Sequence, residues 1–348
     1  MNITVNRLPT STWNRLNMNR TTLELEECFD FTPQAACDRA VTWTPKAAWD
    51  WDANSHGLSP DLTAFTRKAS VALVETKPGQ TMDSPLVLTY RYGGEERGMS
   101  RLALHAAAGS TLSVVVTAQG GGTSVLQVEV RAEEGAKVEL YMVQLTHRDS
   151  VVVQEVGGIL GDRAEMKLLR LDLGGKRAYW GADLDLLGRE SSFSAQMGYY
   201  VRPDQLLDMN LVALHHGRDT RSRMEANGTL EEGAKKVFRG TIDFRRGCAG
   251  AKGTENENVL LLGESVVNQT IPLILCKEED VEGDHGATIG QLDQRTLFYL
   301  GTRGMDPQAA RRLLASSRIW SVCSQIPDEG VRQLVESYDQ EENHGTDA

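Results

Sequence analysis

The sequence predicts an all-β core of short stacked strands, a solenoid, set between a mixed N-terminal region and a C-terminal helical subdomain. Three observations predict it. From about residue 69 to 282, short alternating or apolar runs (VALVET, PLVLTYRY, TLSVVVTA, KVELYMVQL, EMKLLRLDL) are punctuated by Gly, Asp, Asn and Ser, and helical periodicity is nearly absent. Turn signals followed by a strand recur at Gly109, Gly135, Asp162 and Ser191, 26 to 29 residues apart. After about residue 290 the apolar period becomes helical. Two strands plus turns per repeat, with no long helix between them, suit the coils of a solenoid better than βαβ units. A sandwich or barrel of the same strands is the competing arrangement.

Residues 1–68 form the first region, marked by Trp13, Trp43, Trp49 and Trp51 and by acidic, helical-looking pieces such as LELEECFD. The aromatics of WTPKAAWDWD read as pins holding this segment on a neighbouring surface. The β core spans 69–283, and the GGG run at 120–122 within it reads as a turn. The helical subdomain spans 284–339. Asp293 reads as an N-cap, with Leu292 and Leu297 as a hydrophobic staple and Gly304 closing the helix. Asp306 and Pro307 start a second helix, on which Ala309, Ala310, Leu313, Leu314 and Trp320 line one face. A third runs from about Asp328 to Tyr338, striped by Val331, Leu334, Val335 and Tyr338. Residues 340–348 have almost nothing apolar to bury and read as a mobile acidic tail.

The 348 residues carry a net charge of −11, which argues against a nucleic-acid partner needing a basic face. No apolar run approaches the ~18 residues that span a bilayer, and the first residues lack a basic segment followed by an apolar one, so the expected location is the cytoplasm. Five widely spaced cysteines (Cys28, Cys37, Cys248, Cys276, Cys323) without a CxxC read as buried free thiols. No phosphate-binding GxxxxGK[ST], HExxH or GxSxG occurs, so the chain binds no nucleotide by a familiar loop and reads as a non-enzyme.

Three constellations are ambiguous on composition alone. Adjacent residues on a strand face opposite ways, so His215 and His216 read as one in and one out. Asp183, Asp185 and Asp243 sit in strand-like runs and could form a carbohydrate-cleaving groove on a solenoid, an unfavoured reading here. His285, between Asp284 and Gly286 and downstream of Cys276, is either a turn residue or an iron ligand, since imidazole and thiolate both suit iron.

TLEEGAKKVFRGTIDF (229–244) and NVLLLGESVVNQTIPLILCKEEDVEGDHGATIGQLDQRTLFYLGTRGMDPQAARRLL (258–314) decide more. Their VFRG, HGATIGQLD and LFYLGTRG, in that order, resemble the SufB/SufD family of iron–sulfur cluster assembly scaffolds. The likeness covers about 70 to 314 well and the ends poorly. It implies a right-handed parallel β-helix that pairs with a SufB-like paralogue or a second copy of itself. It also implies C-terminal helices that dock a SufC-like ABC ATPase, which on binding ATP pulls on residues 293–320. Tyr299, Arg303, Gly304, Arg311 and Leu314 are the docking candidates. The family's SufD-type histidine falls on His285, with Asp284 and Cys276 as fallback iron ligands for a transient cluster. The likeness is to the SufD side: Val266 stands where SufB proteins have a cysteine, and Gly283 where many SufD proteins have one. The runner-up is a partner of the ATPase that binds no cluster.

Overall fold

Each coil of the chain contributes one strand to each of two sheets. The computed structural model describes residues 1–12, 16–36, 41–51, 56–292 and 294–344. One sheet takes Val71–Glu75, Arg97–Ala106, Thr123–Ala132, Val151–Leu160, Arg177–Leu186, Leu206–His215, Lys235–Phe244 and Val267–Cys276. The other takes Leu86–Tyr92, Thr111–Gly120, Lys137–Thr146, Glu165–Asp172, Ser192–Val201, Arg221–Leu230, Ala251–Leu261 and Val281–Gln291. Neighbours within each sheet are parallel and one coil apart, as with Thr123 beside Val151 and Thr111 beside Lys137. This is a parallel β-solenoid of about eight turns, and the sandwich and barrel are excluded.

Alternation along the strands fills the lumen. Leu102, Val128, Val156, Ala182 and Leu211 stack in register, one per coil, all buried. Burying each large aliphatic side chain contributes roughly 1.5–3 kcal/mol. The corners explain the rhythm of the sequence. Gly109, Gly135, Arg163, Glu190, Asp219 and Gly250 all have positive φ. The amide of each donates to the carbonyl one coil on, for example Gly109 to Glu134 and Gly135 to Asp162, both near 2.9 Å. A left-handed corner is thus repeated up the stack.

The N-terminal region covers the outer face of the first sheet and is mostly extended rather than helical. Asn2–Val5 pairs with Thr21–Glu24 in antiparallel fashion. LELEECFD is not a helix: Leu23 and Leu25 alternate along a strand and its exit, and pack with Ile3 and Val5 against Val125, Val153 and Tyr179. Among the described residues a short helix, α1 (Pro60–Phe65), follows. Trp51 is buried with Leu58, Val71 and Ala103, and Trp49 Nε1 donates to Glu129 Oε2 at 3.0 Å, so these two tryptophans do pin the segment down. Trp13 and Cys37 lie outside the described residues. Antiparallel strands Thr42–Thr44 and Gln34–Ala36 lie on the first strand of each sheet and close that end of the solenoid.

Three helices follow the last strand: α2 (Gln294–Thr302), α3 (Pro307–Cys323) and α4 (Glu329–His344). The N-cap expected at Asp293 lies outside the described residues, whereas Gly304 does close α2 at φ +85°. Asp306 caps α3 by accepting from the amides of Gln308 and Ala309 at 2.9 Å. The buried face of α3 is Ala310, Ala315, Ile319, Val322 and Cys323, and Leu313 is turned outward, 49% exposed. That face lies on the outer side of the second sheet, against Tyr141, Val143, Leu169 and Leu171. Gly198 admits it, because a Cβ there would sit 3.1 Å from Val322. Of the acidic tail expected at 340–348, residues 340–344 are instead helical and 345–348 lie outside the described residues: α4 runs to His344, held by the Arg148–Glu342 ion pair and by Tyr338, whose hydroxyl donates to the Thr146 carbonyl at 2.8 Å.

Candidate functional site

The two ends of the solenoid differ. At the far end, Val267–Cys276 and Val281–Gln291 are the outermost strands of their sheets, and among the described residues nothing pairs with their outer edges. His285 lies within the last strand rather than in a turn, since Val281–Gln291 is continuous in register with Ala251–Leu261. The strand also runs across the boundary expected at 283/284.

Strand parity gives the direction of each residue. A Cβ on Gly283 would meet Phe244 at 3.0 Å and Ile274 at 3.1 Å, side chains that border the lumen. Two residues on, His285 shares that face and stacks in register on Glu255. It remains exposed because no further coil covers it. Asp284 projects the other way, so the two neighbours do not act from one face.

Beneath His285 the lumen turns polar. Glu255 is 2% exposed, yet its Oε2 has no hydrogen-bond partner among the described residues. Burial, reinforced by the nearby charge of Glu257 and opposed by Lys236, pushes its carboxyl up to about 8. Gly240 makes room for it: a Cβ there would fall 2.2 Å from the carboxyl carbon. Two residues along, Glu257 is buried against Lys236, which also donates to Thr270 Oγ1 at 3.1 Å. Thr270 in turn donates to Glu257 Oε2 at 2.7 Å, and the Tyr199 hydroxyl donates to Oε1 at 3.3 Å. Burial lowers the Lys236 ammonium from its ordinary value, with Glu257 opposing the fall. A cation, two carboxylates, a phenol and a hydroxyl therefore line the last closed coil, under an open coil that carries an imidazole.

Cys276 ends the neighbouring strand and is exposed, whereas Cys28, Cys248 and Cys323 are buried. Burial pushes the thiols of Cys28 and Cys323 up to about 11. Among the described cysteines, Cys276 is thus the accessible thiol. Val266, half-buried, packs against the core just before its strand. No group of three His, Cys, Asp or Glu side chains gathers to hold a metal ion among the described residues. His285, Cys276 and Asp284 are not brought together as a ligand set.

The docking candidates gather on the outer helices. Tyr299 is 57% exposed, with the Arg303 guanidinium 5.4 Å from its ring centre. Gly304 and Arg311 are exposed, and Leu314 is half-buried. Phe298, 75% exposed, extends the same helix and was not anticipated. The carboxylates and imidazoles singled out elsewhere have separate roles. His215 is buried and bonded to Thr220 at 2.7 Å and Ser222 at 2.8 Å, while His216 points out to Asp185 at 3.3 Å.

Comparison with known proteins decides the family. The sequence model described as "SUF system FeS cluster assembly, SufBD core domain" matches residues 90–318. The chain belongs to the SufBD family. That stretch of the SufBD chain contains most of the solenoid, the polar lumen, His285, helix α2 and most of helix α3. Among curated proteins it is 29% identical over 135 residues to the iron–sulfur cluster assembly protein SufD of Bacillus subtilis, covering 38% of this chain and 31% of that protein. It is 24% identical over 221 residues to a chloroplastic SufBD family protein of Arabidopsis thaliana, covering 60% and 39%. A SufBD family protein of Mycobacterium leprae is 24% identical over 230 residues, covering 64% and 59%. The chain spans between about a third and three fifths of the length of these relatives. No described helix of this SufBD chain is long and apolar enough to cross a membrane.

Reading the sequence missed Lys236, Glu255 and Glu257. The signal was present: GTENEN places two glutamates two residues apart, on one face of a strand. That this face is the lumen follows only from the register.

Proposed function

We propose that this chain is a scaffold subunit for iron–sulfur cluster assembly whose working end is the open coil carrying His285. The observation that carries this reading is the position of His285: on the lumen face of a terminal coil whose outer edge is unpaired among the described residues, in register with Glu255, whose Oε2 has no hydrogen-bond partner there. The cluster is cargo, assembled and released, and the chain itself is not an enzyme. Unpaired edges on both sheets favour association with a SufB-like paralogue or a second copy, which would enclose His285 and supply the remaining iron ligands.

The motor would be a SufC-like ABC ATPase docked on Tyr299, Arg303, Gly304, Arg311 and Leu314, with Phe298 added. A physical route leads from that surface to the site. Helix α3 rests on the second sheet, and Arg318 Nη1 donates to Asn258, to the carbonyl at 3.2 Å and to Oδ1 at 3.0 Å. Asn258 adjoins Glu257 and lies beside Thr288 of the His285 strand. Displacing α3 therefore pulls on the strand beneath the site. ATP binding shifts the equilibrium only as far as it favours the displaced state.

One observation favours the runner-up, a partner of the ATPase that ligates no cluster: the Lys236 ammonium already neutralises Glu257 in the lumen. Anaerobic co-expression with an ABC ATPase of the same system separates the readings. A stable brown complex supports the scaffold, a stable colourless complex supports the runner-up, and no complex refutes both.

A further inference from the structure

Away from the open end, a cavity of about 720 Å³ lies between the N-terminal region and the outer face of the first sheet. Thr4–Ser11 and Gly57–Asp61 form its walls, and Glu155, Asp183 and Asn210 stand on its floor. Two close approaches build it. A Cβ on Gly157 would fall 2.1 Å from the His56 carbonyl oxygen, and one on Gly57 would fall 2.1 Å from that of Asp183. The second wall is pinned by the Ser59 amide, which donates to Glu155 Oε2 at 3.1 Å. The first is pinned by Asn6, whose Nδ2 donates to Asp208 Oδ1 at 2.7 Å.

The floor offers an acceptor without a donor to fill it. Asn210 is 7% exposed, and its Oδ1 has no partner among the described residues. Leaving such a buried acceptor empty is unfavourable, and a donor from a ligand would relieve it. Carboxyl groups outnumber basic ones, with Glu155 and Asp183 on the floor and Asp61 on one wall, facing Arg7 on the other. The volume lies within the ~300–1,000 Å³ range of small-molecule sites.

We propose that this cavity binds a small organic cation bearing guanidinium or ammonium N–H donors, held by Asn210 Oδ1 and the carboxyls of Asp183 and Glu155. Such a ligand fills the empty acceptor on Asn210 and pairs with Asp183 once that carboxyl ionises. A bare divalent ion fits less well, because no described group of three carboxylate, imidazole or thiol side chains can hold one. The site is separate from the open coil and does not depend on the scaffold reading.

Protonation supports the assignment. Burial, with Asp185, Glu155 and Asp243 adding to it and Arg245 opposing, holds the Asp183 carboxyl well above its ordinary value. His56 and His216 face Asp185 from the N-terminal region and the next turn. A cation arriving at Asp183 should therefore expel its proton, so binding tightens as pH rises.

Agmatine, with a guanidinium at one end and an ammonium at the other, is the probe. Calorimetric titration into the 348-residue chain should show one saturable site per chain, tighter at pH 8 than at pH 6. Heats in two buffers of different ionisation enthalpy should show proton release. Asp183→Asn should weaken binding at least tenfold and abolish that release. If the variant fails to fold, the wild-type buffer comparison still decides. No saturable binding, binding without proton release, or full displacement by equimolar magnesium overturns the proposal.

Discussion

Lys236 has no exposed surface, and its ammonium is held by Glu257 and Thr270 inside a β core. Taking either ion away leaves the other buried and uncompensated, which typically costs about 3–5 kcal/mol. Lys236→Ala should therefore lower the urea midpoint markedly, while Lys236→Ala combined with Glu257→Gln should recover part of the loss. Glu255 gives a pH signature. Folded, it keeps its proton up to about pH 8. The unfolded chain ionises it near the ordinary glutamate value, so unfolding releases a proton across that window. Stability from this group is complete below the unfolded value and falls as pH rises towards 8, by up to about 1.4 kcal/mol per pH unit. Glu255→Gln should accordingly equal wild type near pH 4 and exceed it at pH 8, as read by urea unfolding at a series of pH values. An identical pH slope in both proteins would show that Glu255 is not held protonated. None of this trio was legible in the sequence as a site. Their types and spacing were visible, but the lumen and its depth are properties of the stack.

At the scale of the element, the corners carried most of what could be read. Gly109 and Gly135 announced two left-handed corners directly, and the signals at Asp162 and Ser191 stood one residue from the corners at Arg163 and Glu190. At Arg163 and Glu190 an ordinary side chain occupies a conformation that favours glycine. Glu190→Gly should thus be tolerated or stabilise by up to about 1 kcal/mol, whereas Gly135→Val should destabilise by about 1–3 kcal/mol. Thermal midpoints of the two variants check the corner geometry. Helices were legible from their caps, as Asp306 and Gly304 show. Partners were not: Leu313 fitted the apolar stripe of α3 but faces out, because Ile319 and Val322 are the residues that meet the sheet. LELEECFD misled because acidic residues between leucines also suit a strand with one face on a neighbour. The helix over residues 340–344 was not legible because it is held by Arg148, a residue remote in sequence.

At the scale of the molecule, one end of the solenoid is closed by its own N-terminal strands and the other is left open at His285. Val267, 44% exposed, and Ile289, 53% exposed, add apolar surface to that open coil. If the open end is the pairing surface, Ile289→Lys should convert a dimer or a complex with a paralogue into monomer in sedimentation velocity, with the far-ultraviolet spectrum unchanged. The family was legible from HGATIGQLD and LFYLGTRG, whereas the relation of His285 to the lumen required the register of every coil before it. The central claim is that His285 holds the nascent cluster, and anaerobic reconstitution with iron and sulfide tests it most directly. The complex containing His285→Ala should lose most of the visible absorbance that the wild-type complex develops. Equal absorbance in the two would contradict it.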